Sequence, residues 1–184
     1  PKEGESWFRK PADQGDAGGQ HNLGIAYRDG QGVPQDDNEA ANWFRKAADR
    51  GVPEAQHNLA VMYANGQGVT KNMTDAANWS RKAADQGHTA AQLNLAMMYA
   101  SGQGVGKDPA QVMNWLRRAA SQGGINPVEG FRELADEGYA PAQVEMGLAY
   151  ENGKGVPKLE TEAVSWFRAA ADKGNAAGQY HLGR

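Results

Sequence analysis

The chain has no cysteine among its 184 residues. That removes three chemistries together: a disulfide framework, a zinc site built on thiolates, and a cysteine nucleophile. It leaves the compartment open, because such a chain survives in oxidising and reducing surroundings alike. Long hydrophobic runs are missing too. None approaches the roughly 18 residues of a membrane span, so no membrane-spanning segment is expected. There is no basic excess: the formal net charge is -3 and Lys and Arg are scattered rather than blocked. A nucleic-acid binder usually shows a clustered basic face, so no nucleic-acid partner is expected.

Catalytic patterns are as scarce. No Ser stands in a Gly-x-Ser-x-Gly setting, and no carboxylates are spaced to face each other across a cleft. The nearest approach to a phosphate loop is Ser101-Gly102-Gln103-Gly104-Val105-Gly106-Lys107-Asp108. It begins with Ser rather than Gly, ends with Asp where Ser or Thr would reach magnesium, and follows no strand. It reads as a helix–helix turn. His21 and His57 share a phase in successive units, about 10 Å apart on neighbouring helices, too far for a shared metal. No catalytic, cofactor-binding or metal-ligating residue is assigned, and no enzyme is expected.

What the chain does have is a period of 36 residues. Gln20-His21-Asn22-Leu23-Gly24 returns as Gln56-His57-Asn58-Leu59-Ala60 and as Gln92-Leu93-Asn94-Leu95-Ala96. The series resumes at Gln143-Val144-Glu145-Met146-Gly147 and again at Gln179-Tyr180-His181-Leu182-Gly183. Trp7, Trp43, Trp79, Trp115 and Trp166 keep one phase. Such a period marks a stacked-repeat protein, whose units bury their apolar faces against neighbours.

Each unit reads as two helices. Leu23 and Tyr27, four apart, mark one face of the first. Gly30 and Gly32 stop it, in the left-handed conformation that glycine tolerates. Asp36 caps the second helix, with Glu39 in the capping-box position. Ala40, Trp43, Ala47 and Ala48 form its apolar stripe, and Gly51 ends it. About eleven helices and no strand are expected. Each Trp, set among Ala residues, would bury about 150–250 Å², so its role reads as packing between units.

The pattern Ala-Gln-x-x-Leu-Gly/Ala-x-x-Tyr-x-x-Gly-x-Gly-Val…Ala-x-x-Trp-x-x-Lys-Ala-Ala-x-x-Gly resembles the Sel1-like repeat, a relative of the tetratricopeptide repeat. The resemblance covers nearly the whole chain. It implies an all-α, right-handed superhelical solenoid of antiparallel helix pairs and a role as scaffold or adaptor for another protein. It also favours a bacterial protein, periplasmic or secreted, with the cytoplasm left open. No signal peptide is visible, but the chain starts and stops inside repeat units, as a fragment would.

Departures from the pattern set the expected boundaries. Residues 1–16 read as the second helix of a partial unit, with Pro11 inside it at a cost of about 3 kcal/mol. Residues 17–123 hold three regular units and 139–175 a fourth. Residues 176–184 begin a further, truncated one. Between Gln92 and Gln143 the spacing is 51 instead of 36. The surplus, residues 124–138, reads as an extra helix begun by Asn126, Pro127 and Glu129 and ended by Gly138. Leu159 takes the place of the caps Asp36, Asn72 and Asp108, and Gly130 takes the place of a Trp.

The expected binding surface is the inner wall formed by the first helices. Offset by two from the buried Leu and Tyr lie His21 and Ile25, with Arg28 joining that face one turn later, then His57 and Val61, Leu93 and Met97, Val144 and Leu148. Asn22, Asn58 and Asn94 edge this stripe, and Glu145 breaks their ladder. By resemblance to tetratricopeptide domains, such Asn residues can bond a bound peptide. Equally, they can bond neighbouring helices. The partner expected is an extended peptide or an amphipathic helix. Two rival readings are a binder or hydrolase of cell-wall or β-lactam-type ligands, and a purely structural spacer.

Overall fold

The computed structural model describes residues 9–123 and 126–183. Helices and connecting turns make up these residues, and no strand occurs among them. The chain forms two compact bodies, one ending at Asp108 and one beginning at Pro109.

The first body holds a short helical stretch at residues 9–13, then α1 (Ala17–Asp29), α2 (Asp37–Asp49), α3 (Pro53–Asn65), α4 (Met73–Asp85) and α5 (Thr89–Ser101). The second holds α6 (Pro109–Ser121), α7 (Val128–Asp136), α8 (Ala140–Asn152), α9 (Glu160–Asp172) and α10 (Ala176–Leu182). Within each body, helices pack mainly on their neighbours in the chain, as a repeat array requires. Pro11 sits within helical residues. Trp7 lies outside the described residues.

The turns explain the glycine spacing. Gly30 closes α1 at φ 68°, its N–H donating to Ala26 O. Gly66, Gly102 and Gly153 do the same after α3, α5 and α8. The chain then returns, so that Asp36 N donates to Tyr27 O, Asn72 N to Tyr63 O and Leu159 N to Tyr150 O. The second glycine of the turn serves a neighbour. A Cβ on Gly68 would lie 1.9 Å from Asp37 O, and one on Gly104 2.0 Å from Met73 O. These turns rest on the backbone that starts the second helix of the preceding unit.

Asp36 and Asn72 cap α2 and α4 through their side chains. Leu159 makes no such bond at the start of α9. Inside a unit, the largest knob is the residue after Trp. Phe44 is fully buried and lies on Gly24, where a Cβ would stand 2.7 Å from the ring. Phe167 lies in the same way on Gly147, at 2.4 Å. In the second unit the pair at these phases is Ala60 and Ser80, both buried. The Gly/Ala alternative in the repeat is therefore tied to the size of the residue twenty positions later. The indoles are less uniform. Trp43 and Trp115 are buried, whereas Trp79 is half-buried and packs on the core that contains Phe44 and Leu59. Lys46, Lys82 and Arg118, each three residues on, cover the rings of Trp43, Trp79 and Trp115.

Two side-chain bonds recur and fix the helix register. Gln on the first helix donates to a carbonyl eight residues earlier: Gln20 to Ala12 O, Gln56 to Ala48 O, Gln92 to Ala84 O and Gln143 to Ala135 O. Arg on a second helix donates to a Tyr hydroxyl eighteen residues later: Arg9 to Tyr27, Arg45 to Tyr63, Arg81 to Tyr99 and Arg132 to Tyr150. The helix α7 carries both Ala135 and Arg132. It therefore stands toward α8 as every second helix stands toward the first helix that follows it. Gly130 stands in place of Trp and packs under Leu116, whose Cδ1 would lie 2.6 Å from a Cβ there and would have to move to admit one.

Candidate functional site

In the first body, the expected stripe is largely engaged in the stack. His21 is half-buried, its ring tilted against Phe44 at 5.7 Å. Its Nε2 and the Asn58 Nδ2 lie 3.1 Å apart, so Asn58 links one first helix to the next. His57 is half-buried and stacks on His88 with ring centroids 4.7 Å apart. His88 Nδ1 also accepts from Ala91 N and so caps α5. Burial, more than any charge, pushes the His21 imidazole below its usual range; Glu54 opposes this and Arg28 adds to it. For His57, burial acts first and His88 adds to it.

Ile25 is half-buried against the core, and Val61, Leu93 and Asn94 are half-buried. Arg28 pairs with Asp29 at 2.7 Å. Asn22 is exposed, and Met97 is 69% exposed.

In the second body, Val144 is buried in the cluster of Ala163, Phe167 and Ala170 and offers no surface. Leu148 and Glu145 line a cavity of about 700 Å³. Its walls are Arg117, Ala120 and Ser121 on α6, then Asn126 to Val128 and Phe131 at the start of α7. Leu148, Ala149 and Asn152 on α8, followed by Lys154 and Gly155, complete it. Val128, Phe131, Leu148 and Ala149 make an apolar floor. Across the mouth, Arg117 donates through Nε and Nη2 to Glu145 Oε1, at 2.9 and 2.6 Å. Half of the Arg117 side chain remains exposed, so this pair contributes little to stability, about 0–1 kcal/mol. Asn126 holds the opposite wall, accepting from Val128 N and donating to Gly155 O.

Glu145 and Leu148 belong to the expected stripe, whereas Arg117, Phe131 and Lys154 lie outside it. A signal for Arg117 was present. It is the repeat arginine whose eighteenth successor is Ala135 instead of Tyr. Among the described residues, no group of three or more His, Asp or Glu side chains could hold a metal ion. No helix there is long and apolar enough to cross a membrane.

With this geometry, the comparisons agree on the class. The Sel1 repeat pattern matches residues 17–52, 53–88, 89–124 and 140–175. The chain belongs to the Sel1-repeat family, whose members generally mediate protein–protein interactions and are typically scaffolds without enzymatic activity. Among solved structures, it resembles a protective antigen of uropathogenic Escherichia coli strains that displays an SLR fold. That match has 33% identity and a TM-score of 0.66, covering 97% of this chain and 43% of the antigen. A Sel1 repeat protein from Oxalobacter formigenes matches at 32% identity and a TM-score of 0.63, over 96% of this chain and 67% of that one. The Helicobacter pylori cysteine-rich protein B shares the fold at 20% identity and a TM-score of 0.54, over 68% of this chain and 90% of that one. The chain thus spans less than half the length of the Escherichia coli antigen. No curated protein sequence matches it.

Proposed function

We propose that the chain is a non-catalytic scaffold that holds a segment of a partner protein, an extended peptide or an amphipathic helix, against its first helices. The cavity at Glu145 and Leu148 is its anchor. The observation that carries this reading is the cavity itself: an apolar floor of Val128, Phe131 and Leu148 beneath an exposed Arg117–Glu145 pair. A concave apolar site with a few polar groups at its rim is the usual form of a binding pocket. Met97 offers a second exposed contact on the same expected stripe.

The test is affinity capture from the native lysate with the wild type, Leu148→Glu and Met97→Glu. Leu148 is half-buried and Met97 exposed, so both variants should keep their helicity. Leu148→Glu should abolish capture and Met97→Glu should weaken it. Capture by Leu148→Glu at the wild-type level would move the binding surface elsewhere.

A further inference from the structure

The cavity lies where the repeat grammar omits a helix. A second helix is normally followed by a first helix that supplies two bonds: a Gln amide to the carbonyl eight residues back and a Tyr hydroxyl to the Arg eighteen residues back. After α6 the chain supplies neither. Ala120 is followed at the eighth place by Val128, and Arg117 at the eighteenth by Ala135. The next helix, α7, is itself of the second kind. From the other side, α8 offers Glu145 at the phase where Asn58 reaches back to the preceding first helix through His21. Arg117, Ala120 and Glu145 are the three groups such a helix would engage, and all three line the cavity. Arg117 and Glu145 have closed on each other across it.

We propose that this cavity is a berth for an α-helix supplied by a partner protein, one that presents Gln and, seven residues later, Tyr. This rests on the reading of the chain as an interaction scaffold and names the chemistry of what it holds. The incoming Gln amide donates to Ala120 O, and the Tyr hydroxyl accepts from Arg117. A space of about 700 Å³ takes one face of roughly two turns, about 11 Å of helix axis, which is the distance from Gln to Tyr. Charge agrees with this orientation. In α1, α3, α5 and α8 the Tyr comes two residues before the helix ends, where unpaired carbonyls carry partial negative charge. The lining, with Arg117 and Lys154 against Glu145, is net positive.

The probe is a capped 13-residue peptide with the sequence of α3, Pro53–Asn65, titrated into the full chain. Because the chain has no cysteine, Ser121→Cys at the cavity rim accepts a single environment-sensitive fluorophore, and binding elsewhere leaves it silent. Saturable binding is expected. It should weaken about tenfold with a Tyr63→Phe or Gln56→Ala peptide and to a similar extent with Arg117→Ala protein. It should tighten severalfold with Glu145→Ala, which releases Arg117. No saturable response at millimolar peptide overturns the proposal. So does equal binding of the Tyr63→Phe peptide, or of an Ala60→Pro peptide that cannot be helical, which would assign the cavity to an extended segment. If the peptide fails while Leu148→Glu still abolishes partner capture, the helix berth falls and the scaffold reading stands.

Discussion

The pairing of Gly24 with Phe44 predicts a change of sign in a double-mutant cycle. Phe44 is fully buried, so Phe44→Ala should cost about 3–5 kcal/mol in lost transfer energy and residual cavity. Gly24→Ala has two opposed effects. Within a helix it gains about 0.8–1 kcal/mol in propensity. Its new Cβ, however, lies 2.7 Å from the ring of Phe44, and overpacking of this kind costs about 1–3 kcal/mol. In the wild type the net effect should be neutral to destabilising by about 2 kcal/mol. In the Phe44→Ala background the clash is gone and the same change should stabilise by roughly 1 kcal/mol. The coupling is then about 1–3 kcal/mol. Urea unfolding followed by far-ultraviolet circular dichroism, with all four proteins compared at constant slope, measures it. The chain contains its own precedent, since Ala60 and Ser80 hold these phases in the second unit. If Gly24→Ala cost as much without the Phe ring as with it, the Gly/Ala choice would follow from helix backbone alone and the size-matching argument would fail.

Trp43→Ala should cost about 3–5 kcal/mol, and Trp79→Ala less, because the first ring is 6% exposed and the second half-buried; the same denaturation assay ranks them. Gly104→Ala should destabilise strongly, since its φ is +75° and its Cβ would strike Met73 O, whereas Gly106→Ala should be nearly silent because nothing lies within 4 Å; thermal melting separates the two. His21 and His57 titrate below their usual range in the folded chain. The unfolded chain therefore takes up protons first, and stability should be flat above about pH 6.5 and fall as pH drops below it. His57→Gln should flatten part of that slope, and an unchanged slope would remove His57 from the account.

The helices could be read from the sequence because their signals are local and repeated. Leu23 and Tyr27 gave the face, Gly30 and Gly51 the stops, and Asp36 and Asn72 the caps. The knob at Phe44 was harder to see, because Trp43 beside it is larger and recurs in every unit, while the next residue varies as Phe, Ser, Leu and Phe. What Phe44 answers to is Gly24, twenty residues away, and no single-helix pattern carries that link. The stripe illustrates the same limit. An offset of two from the core positions names Leu148, which lines the cavity beside the edge residue Glu145, and also Val144, which α9 covers through Phe167. Which stripe residues stay open depends on the next helix over, which no single-helix pattern contains.

The two recurring bonds have a further consequence, for how such a chain can be altered. Each partner is addressed by a short, constant separation along the chain, eight residues for the Gln amide and eighteen for the Arg side chain. Nothing in that scheme counts from the N-terminus or measures the total length. A splice of fifteen residues between Gln92 and Gln143 therefore leaves Gln56 bonded to Ala48 on one side, and Gln143 bonded to Ala135 on the other. Only the junction loses its partners. A protein addressed in this way can gain half a unit in one genetic step and keep folding on both sides of the seam. At the seam itself Arg117, with no Tyr eighteen residues on, bonds Glu145 instead.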